Sequence, residues 1–455
     1  MQERRVLTEA EINRGLLSPV LGTPRWFWPA AVVLALVVGA GVTAVVSMAT
    51  FGLGVTGKMR PVFWGFLITN FVFWVGIALA GVMISSVLRL SHAEWRRPVT
   101  RAAEALTVFA LATAALFPLI HMGRLWRSYW VFPYDFDRGI WPDPRSPLIW
   151  DPAVIFTYLT GASLFLYTGL LPDLGILRDR TTGWRHTFYG ILSLGWRGNP
   201  RQFKLQFLLG ILLSALILPV FASASTIVSW DFAVSLVPAW HSTVFAPYFV
   251  VGAVHSGLSA VVIVMVALRF LFKWEDYIRP EHFDSLGRLL IAVATAWLYF
   301  FMLDVFFGIF GGESRELSVM EQRLFSWPWG PMFLAIMVMG YVIPVGLWLF
   351  RSVRRNLGLM FVLSILVNIA MWLERLWLIV PGLQTKERLP FNWQTYTPSL
   401  VEITVVVASF ALVGLGFLMF SKFFPLIPVW EQKEGQVLQE EIRIGKRRVP
   451  AIIRE

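Results

Sequence analysis

The sequence predicts an all-α integral membrane protein that crosses a bilayer about ten times. Of its 455 residues, 57% are hydrophobic and only 15% are charged, whereas soluble domains carry roughly 25% charged residues. The apolar residues form runs of about 20 or more, the length that crosses a hydrocarbon core roughly 30 Å thick. The 22 tryptophans fit this solvent, because indole rings favour the membrane–water boundary.

The predicted elements divide the chain into three parts. A polar segment at 1–25, without the cleavage pattern of a signal peptide, precedes a ten-helix transmembrane domain at 26–424, and a charged tail follows at 425–455. The apolar spans lie at 26–50, 61–88, 103–121, 150–172, 205–229, 243–268, 289–311, 330–350, 356–380 and 398–424. We expect spans 2–5 and 6–9 to form two four-helix bundles with spans 1 and 10 at the periphery, although periodicity alone does not establish this grouping.

The distribution of Lys and Arg predicts the orientation. The N-terminal segment, the connections after even-numbered spans and the tail hold 28 of the 39 Lys and Arg, against 10 in the other connections. By the positive-inside rule, both termini are cytoplasmic. The connection at 122–149 then faces outward, and Pro133, Pro142, Pro144 and Pro147 exclude a continuous helix there. It offers a rigid polar surface suited to docking a partner protein.

Polar residues mark the outer ends of four spans. His121 closes span 3, Asp151 opens span 4, Asp231 ends span 5 and His241 precedes span 6. Arg124 follows His121 by three residues. A helix bundle brings such ends within reach of one another, although the same residues could instead be dispersed around its rim.

A second set of ionisable residues lies deeper, where each costs about 2.5–3.5 kcal/mol on insertion scales. Asp304, the neighbours Glu374 and Arg375, and Glu402 lie in the outer half, and His255 lies near the midplane. Such residues are functional candidates by default. Glu374 or Arg375 could instead make a structural bond between helices.

A histidine and carboxylates at the edge of the apolar layer suit the oxidation of a lipid-soluble quinol. That reaction releases two protons with two electrons, and each hydroxyl needs a proton acceptor. Histidine titrates near physiological pH, and a partly desolvated carboxylate moves towards it. The alternatives are structural: His121 could be an interfacial residue, and Asp151 before Pro152 could be a helix N-cap.

The composition also bears on cofactors and ligands. The chain has no cysteine, so it cannot supply the thiolates of an iron–sulfur cluster. His121 and His255 differ in depth by about 15 Å or more, so they cannot share one haem, and we expect this chain to ligate none. The net charge is +11, and the charged residues lie mainly in short loops between the apolar spans. This distribution is typical of charges that set membrane orientation rather than of nucleic-acid binding.

Several long motifs carry a family pattern. They are HMGR at 121–124, FPYDFDRGIWPDPRSPLIWD ending at Asp151, LPDLGILRDR at 171–180, YGILSLGWRG at 189–198 and IVSWDFAVSLVPAWHSTVFAPYFVVGA at 227–253. With the ten-span layout, they resemble the NrfD, or polysulfide-reductase-type, membrane subunits, and among these most of all the quinol-binding subunit of bacterial alternative complex III. The resemblance covers most of the chain.

The resemblance implies a quinol dehydrogenase subunit that is active only within a respiratory or photosynthetic complex of the bacterial inner membrane. The implied substrate is a quinol, with menaquinol expected, and the implied partners are a periplasmic iron–sulfur subunit, multihaem c-type cytochromes and a sister NrfD-like subunit. His121, Asp151 and Asp231 match the family's quinol pocket, near Arg124 and His241. The family is also suspected of proton translocation, for which the candidates are His255, Asp304, Glu374, Arg375 and Glu402.

Two other functions remain open on the sequence. A secondary transporter tends to have helices interrupted near the midplane in matching positions of two halves, and Pro219 and Pro344 are the deep prolines, in places that do not match. A structural membrane anchor without a site of its own is the other alternative.

Overall fold

A computed structural model describes residues 7–59, 62–131, 145–385, 395–437, 441–444 and 447–450. Its helices are α1 (Glu9–Leu21), α2 (Phe27–Phe51), α3 (Phe66–Leu90), α4 (Thr100–His121), α5 (Pro147–Arg180), α6 (Trp184–Leu192), α7 (Pro200–Ala233), α8 (Phe245–Phe272), α9 (Pro280–Phe310), α10 (Ser314–Phe325), α11 (Trp329–Met337), α12 (Ile343–Trp348), α13 (Arg351–Arg354), α14 (Leu357–Gln384), α15 (Leu400–Phe423) and α16 (Val429–Val437). Short 3-10 turns occupy Leu53–Val55, Glu94–Arg96 and Leu125–Val131, and a π turn at Val338–Val342 joins α11 to α12. A two-stranded antiparallel hairpin, β1 (Glu441–Ile444) and β2 (Arg447–Pro450), lies in the tail.

The all-helical membrane fold is confirmed, because ten segments of the described chain are long and apolar enough to cross a membrane. They are α2, α3, α4, α5, α7, α8, α9, the α11–α12 unit, α14 and α15, and each corresponds to one predicted span. The prediction of a docking surface at 122–149 lies largely outside the described residues. The side of the membrane that each end faces stays a prediction.

Some helices extend beyond their apolar runs. Helix α9 begins at Pro280 rather than at 289, and α5 continues to Arg180 rather than ending at 172. In both extensions an aspartate is buried against arginine: Asp284 binds Arg354, and Asp173 binds Arg101. Protein contacts therefore replace lipid around these turns, which lets the helix continue with polar residues inside the bundle.

The ten segments pack as two four-helix bundles with a peripheral pair, as predicted. In the first bundle, α3 contacts α4 and α7, and α5 contacts the same two helices. In the second, α8 and the α11–α12 unit each contact both α9 and α14. Helix α3 packs on α8 and α14 and so joins the bundles, while α2 pairs with α15 beside α3 and α4.

Small residues allow the central helices to approach closely. A Cβ atom on Gly257 of α8 would lie 2.2 Å from the Cβ of Ala80 on α3, and one on Gly81 would lie 2.3 Å from the carbonyl oxygen of Ala103 on α4. Lipid does not drive apolar helices together, so such close packing is a main source of association in a membrane. Helix α3 is accordingly the most deeply buried of the ten spans.

The start of α16 closes the end of the first bundle that lies opposite to His121. Buried Asp173 accepts the backbone N–H groups of Val429 (3.2 Å) and Trp430 (3.1 Å). Glu431 forms ion pairs with Arg96 at 2.7 Å and Arg89 at 3.5 Å. Burial alone would raise the pKa of Glu431, but the surrounding arginines hold it below its usual value. The segment is thereby attached through charges as well as through packing.

We predict that Gly257→Val lowers the thermal unfolding midpoint of the detergent-solubilised protein, because the added methyl groups push α8 away from α3. Overpacking of this kind costs about 1–3 kcal/mol. The matched control is Gly39→Val on α2, where an added Cβ meets nothing within 4 Å. Equal midpoints for the two variants would contradict the close α3–α8 contact.

Candidate functional site

The connection between α2 and α3 folds over the end of α4 and brings a lysine to His121. The Lys58 Nζ atom lies 2.9 Å from the His121 Nδ1 atom and 3.1 Å from the His121 carbonyl oxygen. The Trp64 ring meets the imidazole edge-on, with 6.0 Å between the ring centres. The sequence does not identify Lys58 as a site residue, because a lysine in a short connection between spans is already explained as a charge that sets the membrane orientation.

Glu402 holds this connection in place. Its Oε2 accepts the backbone N–H groups of Gly57 (2.7 Å) and Ser399 (3.0 Å), and its Oε1 accepts the Tyr396 hydroxyl at 2.9 Å. Ser399 in turn caps α15. A side chain at Gly57 would meet the carbonyl oxygen of Thr397 at 2.0 Å, so the approach needs glycine. The carboxylate of Glu402 thus has a structural task, and its place in a proton path stays a prediction.

The protonation state of Lys58 determines which nitrogen of the neutral His121 ring carries the hydrogen. Burial lowers the pKa of the Lys58 ammonium to about 8, and the Glu402 carboxylate opposes that change. A charged Lys58 donates to Nδ1, so a neutral imidazole then carries its hydrogen on Nε2. A neutral amine can accept from Nδ1–H, which leaves the Nε2 lone pair free. The pair can therefore present either a donor or an acceptor at Nε2.

A second centre is the contact between Asp151 on α5 and Asp231 on α7. Their side chains lie within hydrogen-bonding reach of each other, and Asp151 is only 6% exposed. Two buried carboxylates in contact repel unless a proton lies between them. Apart from this mutual contact, the Oδ1 atom of each residue is buried without a hydrogen-bond partner in the described part of the chain. A pair that shares one proton keeps oxygen lone pairs that can accept a bond from a ligand.

Aromatic side chains connect the two centres. Trp64 stacks on Trp240 at 5.6 Å and meets Phe232, the neighbour of Asp231, at 5.9 Å. On the other side, Trp150 and Trp230, which precede Asp151 and Asp231 in the sequence, meet at 6.0 Å. The His121 ring thus contacts the cluster of Trp64, Trp240 and Phe232, and Asp231 directly precedes one member of that cluster in α7.

An apolar groove of about 380 Å³ adjoins this end of α4. Its walls come from α2, α4 and α15, and they include Ile120 beside His121, Val45, Val405 and Leu412. The outer surface of α2 carries exposed apolar residues such as Leu36. The groove thus lies on the surface that a bilayer would cover.

His241 and Arg124 differ from His121, Asp151 and Asp231 in their surroundings. The exposed His241 ring points to α10, where its Nε2 lies 2.7 Å from Glu316 and 3.8 Å from Glu313. The ligand atoms of these three residues lie within 4.8 Å of one another, a spacing that could hold a metal ion but that ion pairing also explains. Arg124 is exposed just beyond α4. Quinol binding by either residue stays a prediction.

The deeper residues Asp304 and Glu374 are paired within the second bundle. Asp304 on α9 lies near Ser242 and faces Arg323. Arg323 also donates to the carbonyl oxygen of Ala239 at 3.3 Å. Burial lowers the pKa of Arg323 to about 10, while Asp304 opposes that change. Glu374 on α14 accepts the Tyr248 hydroxyl and lies 3.3 Å from Arg375.

His255 stands apart from these pairs. Its Nε2 lies 3.2 Å from the carbonyl oxygen of Gly340 in the π turn, and its ring stacks on Trp297 at 5.5 Å. The Nδ1 atom is buried without a partner in the described chain. Within that part, no hydrogen bond joins His255, Asp304 and Glu374 into one path, so proton conduction stays a prediction.

Comparison with known proteins identifies relatives along most of the chain. A family model described as "Polysulphide reductase, NrfD" matches residues 54–387, which include both centres. A putative membrane subunit of dimethyl sulfoxide reductase from Halobacterium salinarum is 28% identical over 445 residues, covering 90% of this chain and 94% of the relative. An "Hdr-like menaquinol oxidoreductase integral membrane subunit" of Archaeoglobus fulgidus is 21% identical over 405 residues, covering 85% and 90%.

We predict that Glu402→Gln lowers the pKa of Lys58 below about 8, because it removes the charge that opposes the effect of burial. The glutamine oxygen can still accept from Gly57. The measurement is the pH midpoint for acylation of Lys58 by an amine-reactive reagent, read by peptide mass spectrometry. Glu281→Gln, an exposed carboxylate at the other end of the bundle, is the control. An unchanged midpoint in Glu402→Gln would refute the electrostatic coupling.

Proposed function

The chain belongs to the NrfD polysulphide reductase family, and from that premise we propose that it binds and oxidises a quinol within a multi-subunit complex. Its relatives are membrane subunits of oxidoreductase complexes, which supports a redox role and the need for partner subunits. The observation that carries the proposal is the pair of centres, Lys58–His121 and Asp151–Asp231, of which the first contacts Trp64 and the second directly precedes Phe232, a ring partner of Trp64.

The two centres fit the proton balance of quinol oxidation. A quinol that becomes a quinone loses two protons and two electrons, one proton from each hydroxyl. His121 Nε2 would take one proton when Lys58 is neutral, since Nδ1–H then donates to the amine. The Asp151–Asp231 pair would take the other, because a pair that shares one proton can accept a second. A base in contact with each hydroxyl contributes roughly 10²–10⁴-fold to such a reaction.

The surroundings of the centres suit the rest of the substrate. The partly buried ring of Trp64 offers a surface for a quinol ring, and an aromatic pair of this kind contributes about 0.5–1.5 kcal/mol beyond area burial. The apolar groove is lined by Ile120, the residue before His121, and would hold an isoprenoid tail. Menaquinol is our proposed substrate, supported by the menaquinol oxidoreductase of the Archaeoglobus relative.

The electrons require an acceptor outside this chain, because it has no cysteine to hold a cluster. We propose a periplasmic iron–sulfur subunit as the acceptor, multihaem c-type cytochromes beyond it and a sister membrane subunit, as in alternative complex III. We also propose that the chain lies in a bacterial inner membrane with cytoplasmic termini. His255, Asp304, Glu374, Arg375 and Glu402 remain our candidates for proton translocation.

The transporter alternative receives little support. The π turn at Val338–Val342, just before Pro344, interrupts one deep helix. Helix α7, however, continues through Pro219, so the interruption has no counterpart at that proline. Alternating access through inverted repeats uses interruptions in both halves.

We predict that His121→Ala and Asp151→Asn each lower quinol-driven electron transfer at least about 100-fold in the purified complex, because each removes a proton acceptor. Complex assembly stays intact. His186→Gln, an exposed histidine on α6, serves as the control and keeps full activity. The measurement is quinol-dependent reduction of the partner subunits, with the amount of each protein in the complex determined on the same samples.

Full activity in both site variants would reject the pocket. Loss of assembly with unchanged quinol binding would instead favour a structural anchor.

The lysine gives a separate prediction on pH. We expect the wild-type rate to rise as the pH increases through about 8, because Lys58 loses its proton and frees the Nε2 lone pair of His121. Lys58→Met removes this rise, whereas Lys58→Arg keeps the charge and holds the rate low throughout. Pre-steady-state oxidation rates between pH 6 and about 9.5 test both. A rise near pH 8 that persists in Lys58→Met would assign the dependence to another group.

A further inference from the structure

Four arginines converge on one aspartate at the end of the second bundle that lies opposite to His121. Asp284, near the start of α9, lies 2.7 Å from Arg354 Nε and 3.1 Å from Arg288 Nη2. The Nε atoms of Arg351 and Arg355 follow at 3.7 and 3.8 Å. One carboxylate therefore faces four guanidinium groups.

Of the four arginines, Arg354 makes the most hydrogen bonds within the protein. Arg354 is buried, and its Nη1 also donates to the carbonyl oxygens of Trp348 (2.6 Å) and Leu349 (3.0 Å). The side chains of Arg288 and Arg351 are 66% and 65% exposed. Arg355 Nε is buried without a hydrogen-bond acceptor in the described chain. Each guanidinium has five N–H donors, so the exposed groups of Arg288 and Arg351 keep donors that a ligand can reach.

The excess of positive charge distinguishes this cluster from the arginines of the first bundle. At the same end of the first bundle, four arginines are also grouped, but acids surround them. The arginines are Arg89, Arg96, Arg97 and Arg101, and the acids are Glu94, Glu104, Asp173, Glu431 and Glu434. In the second bundle, Glu281 on the first turn of α9 forms no ion pair with the four arginines in the described chain. Arginines that only set the membrane orientation would not need to lie around one aspartate.

Exposed apolar side chains border the cluster. Leu349 and Phe350, directly before Arg351, are 65% and 61% exposed. Leu289, the neighbour of Arg288, is 37% exposed. The arginines thus lie where a membrane-covered surface meets the polar boundary, at the starts of α9 and α14.

We propose that Arg288, Arg351 and Arg355 bind the phosphate of an anionic phospholipid headgroup, with its acyl chains against Leu349 and Phe350. The phosphate supplies the anion that the cluster lacks, and guanidinium groups bind phosphate through paired hydrogen bonds. Basic pockets at the ends of membrane helices are suited to such headgroups. The occupied site would join α9 to the α13 segment and so fix one side of the second bundle.

The test uses the delipidated full complex in mixed micelles and follows its thermal unfolding as phosphatidylglycerol is added. A ligand that binds only the folded state raises the midpoint with concentration, which gives an apparent dissociation constant. We expect Arg288→Gln/Arg351→Gln to weaken phosphatidylglycerol binding about tenfold or more. The control Arg197→Gln/Arg201→Gln removes the same charge from exposed arginines at this end of the first bundle and should bind as the wild type does.

Three results would overturn the proposal. Equal weakening in both double variants would show general surface attraction, and no weakening in Arg288→Gln/Arg351→Gln would exclude the cluster. A midpoint shift with inorganic phosphate as large as that with phosphatidylglycerol would assign a free anion rather than a lipid. Phosphatidylcholine should produce no comparable shift. Arg355→Gln alone is a second variant, expected to weaken phosphatidylglycerol binding in the same direction.

Discussion

An ionisable side chain inside a membrane is costly unless another polar group meets it, and this constraint arranges most buried polar residues of the protein. Arg101 meets Asp173, Arg323 meets Asp304, and Glu374 meets Tyr248 and Arg375. These contacts join helices that lipid alone would not bring together. The Arg101–Asp173 contact, and that of Arg354 with Asp284, also explain how α5 and α9 continue past their apolar runs.

The same constraint applies at the His121 end of the first bundle. There the polar groups are only partly satisfied, since Asp151 and Asp231 each keep a buried oxygen without a partner in the described chain. Lys58 bonds one nitrogen of His121 and leaves the chemistry of the other to depend on its own charge. Buried polar atoms without partners destabilise the fold, but they suit a site that binds two hydroxyl groups. The proposed redox function therefore follows from what the fold leaves unpaired.

Sequence patterns were sufficient for the spans and the two bundles, because membrane thickness and helix geometry determine them. They could not identify Lys58, since contact with His121 depends on how an irregular connection folds back. Glu402 carried a readable signal: its position three residues after Ser399 matches a capping box, which accounts for its backbone bonds. Tyr248 and Arg323 could not be paired with acids across helices, because periodicity does not determine how helices rotate against one another.

A structure of the whole complex with a bound quinone analogue would test the proposed quinol pocket most directly. We expect one ring oxygen within hydrogen-bonding distance of His121 Nε2 and the other beside the Asp151–Asp231 pair, with the ring against Trp64 and the tail in the groove beside Ile120. A headgroup bound elsewhere, such as between α8 and α14, or one that contacts neither centre, would contradict the proposal.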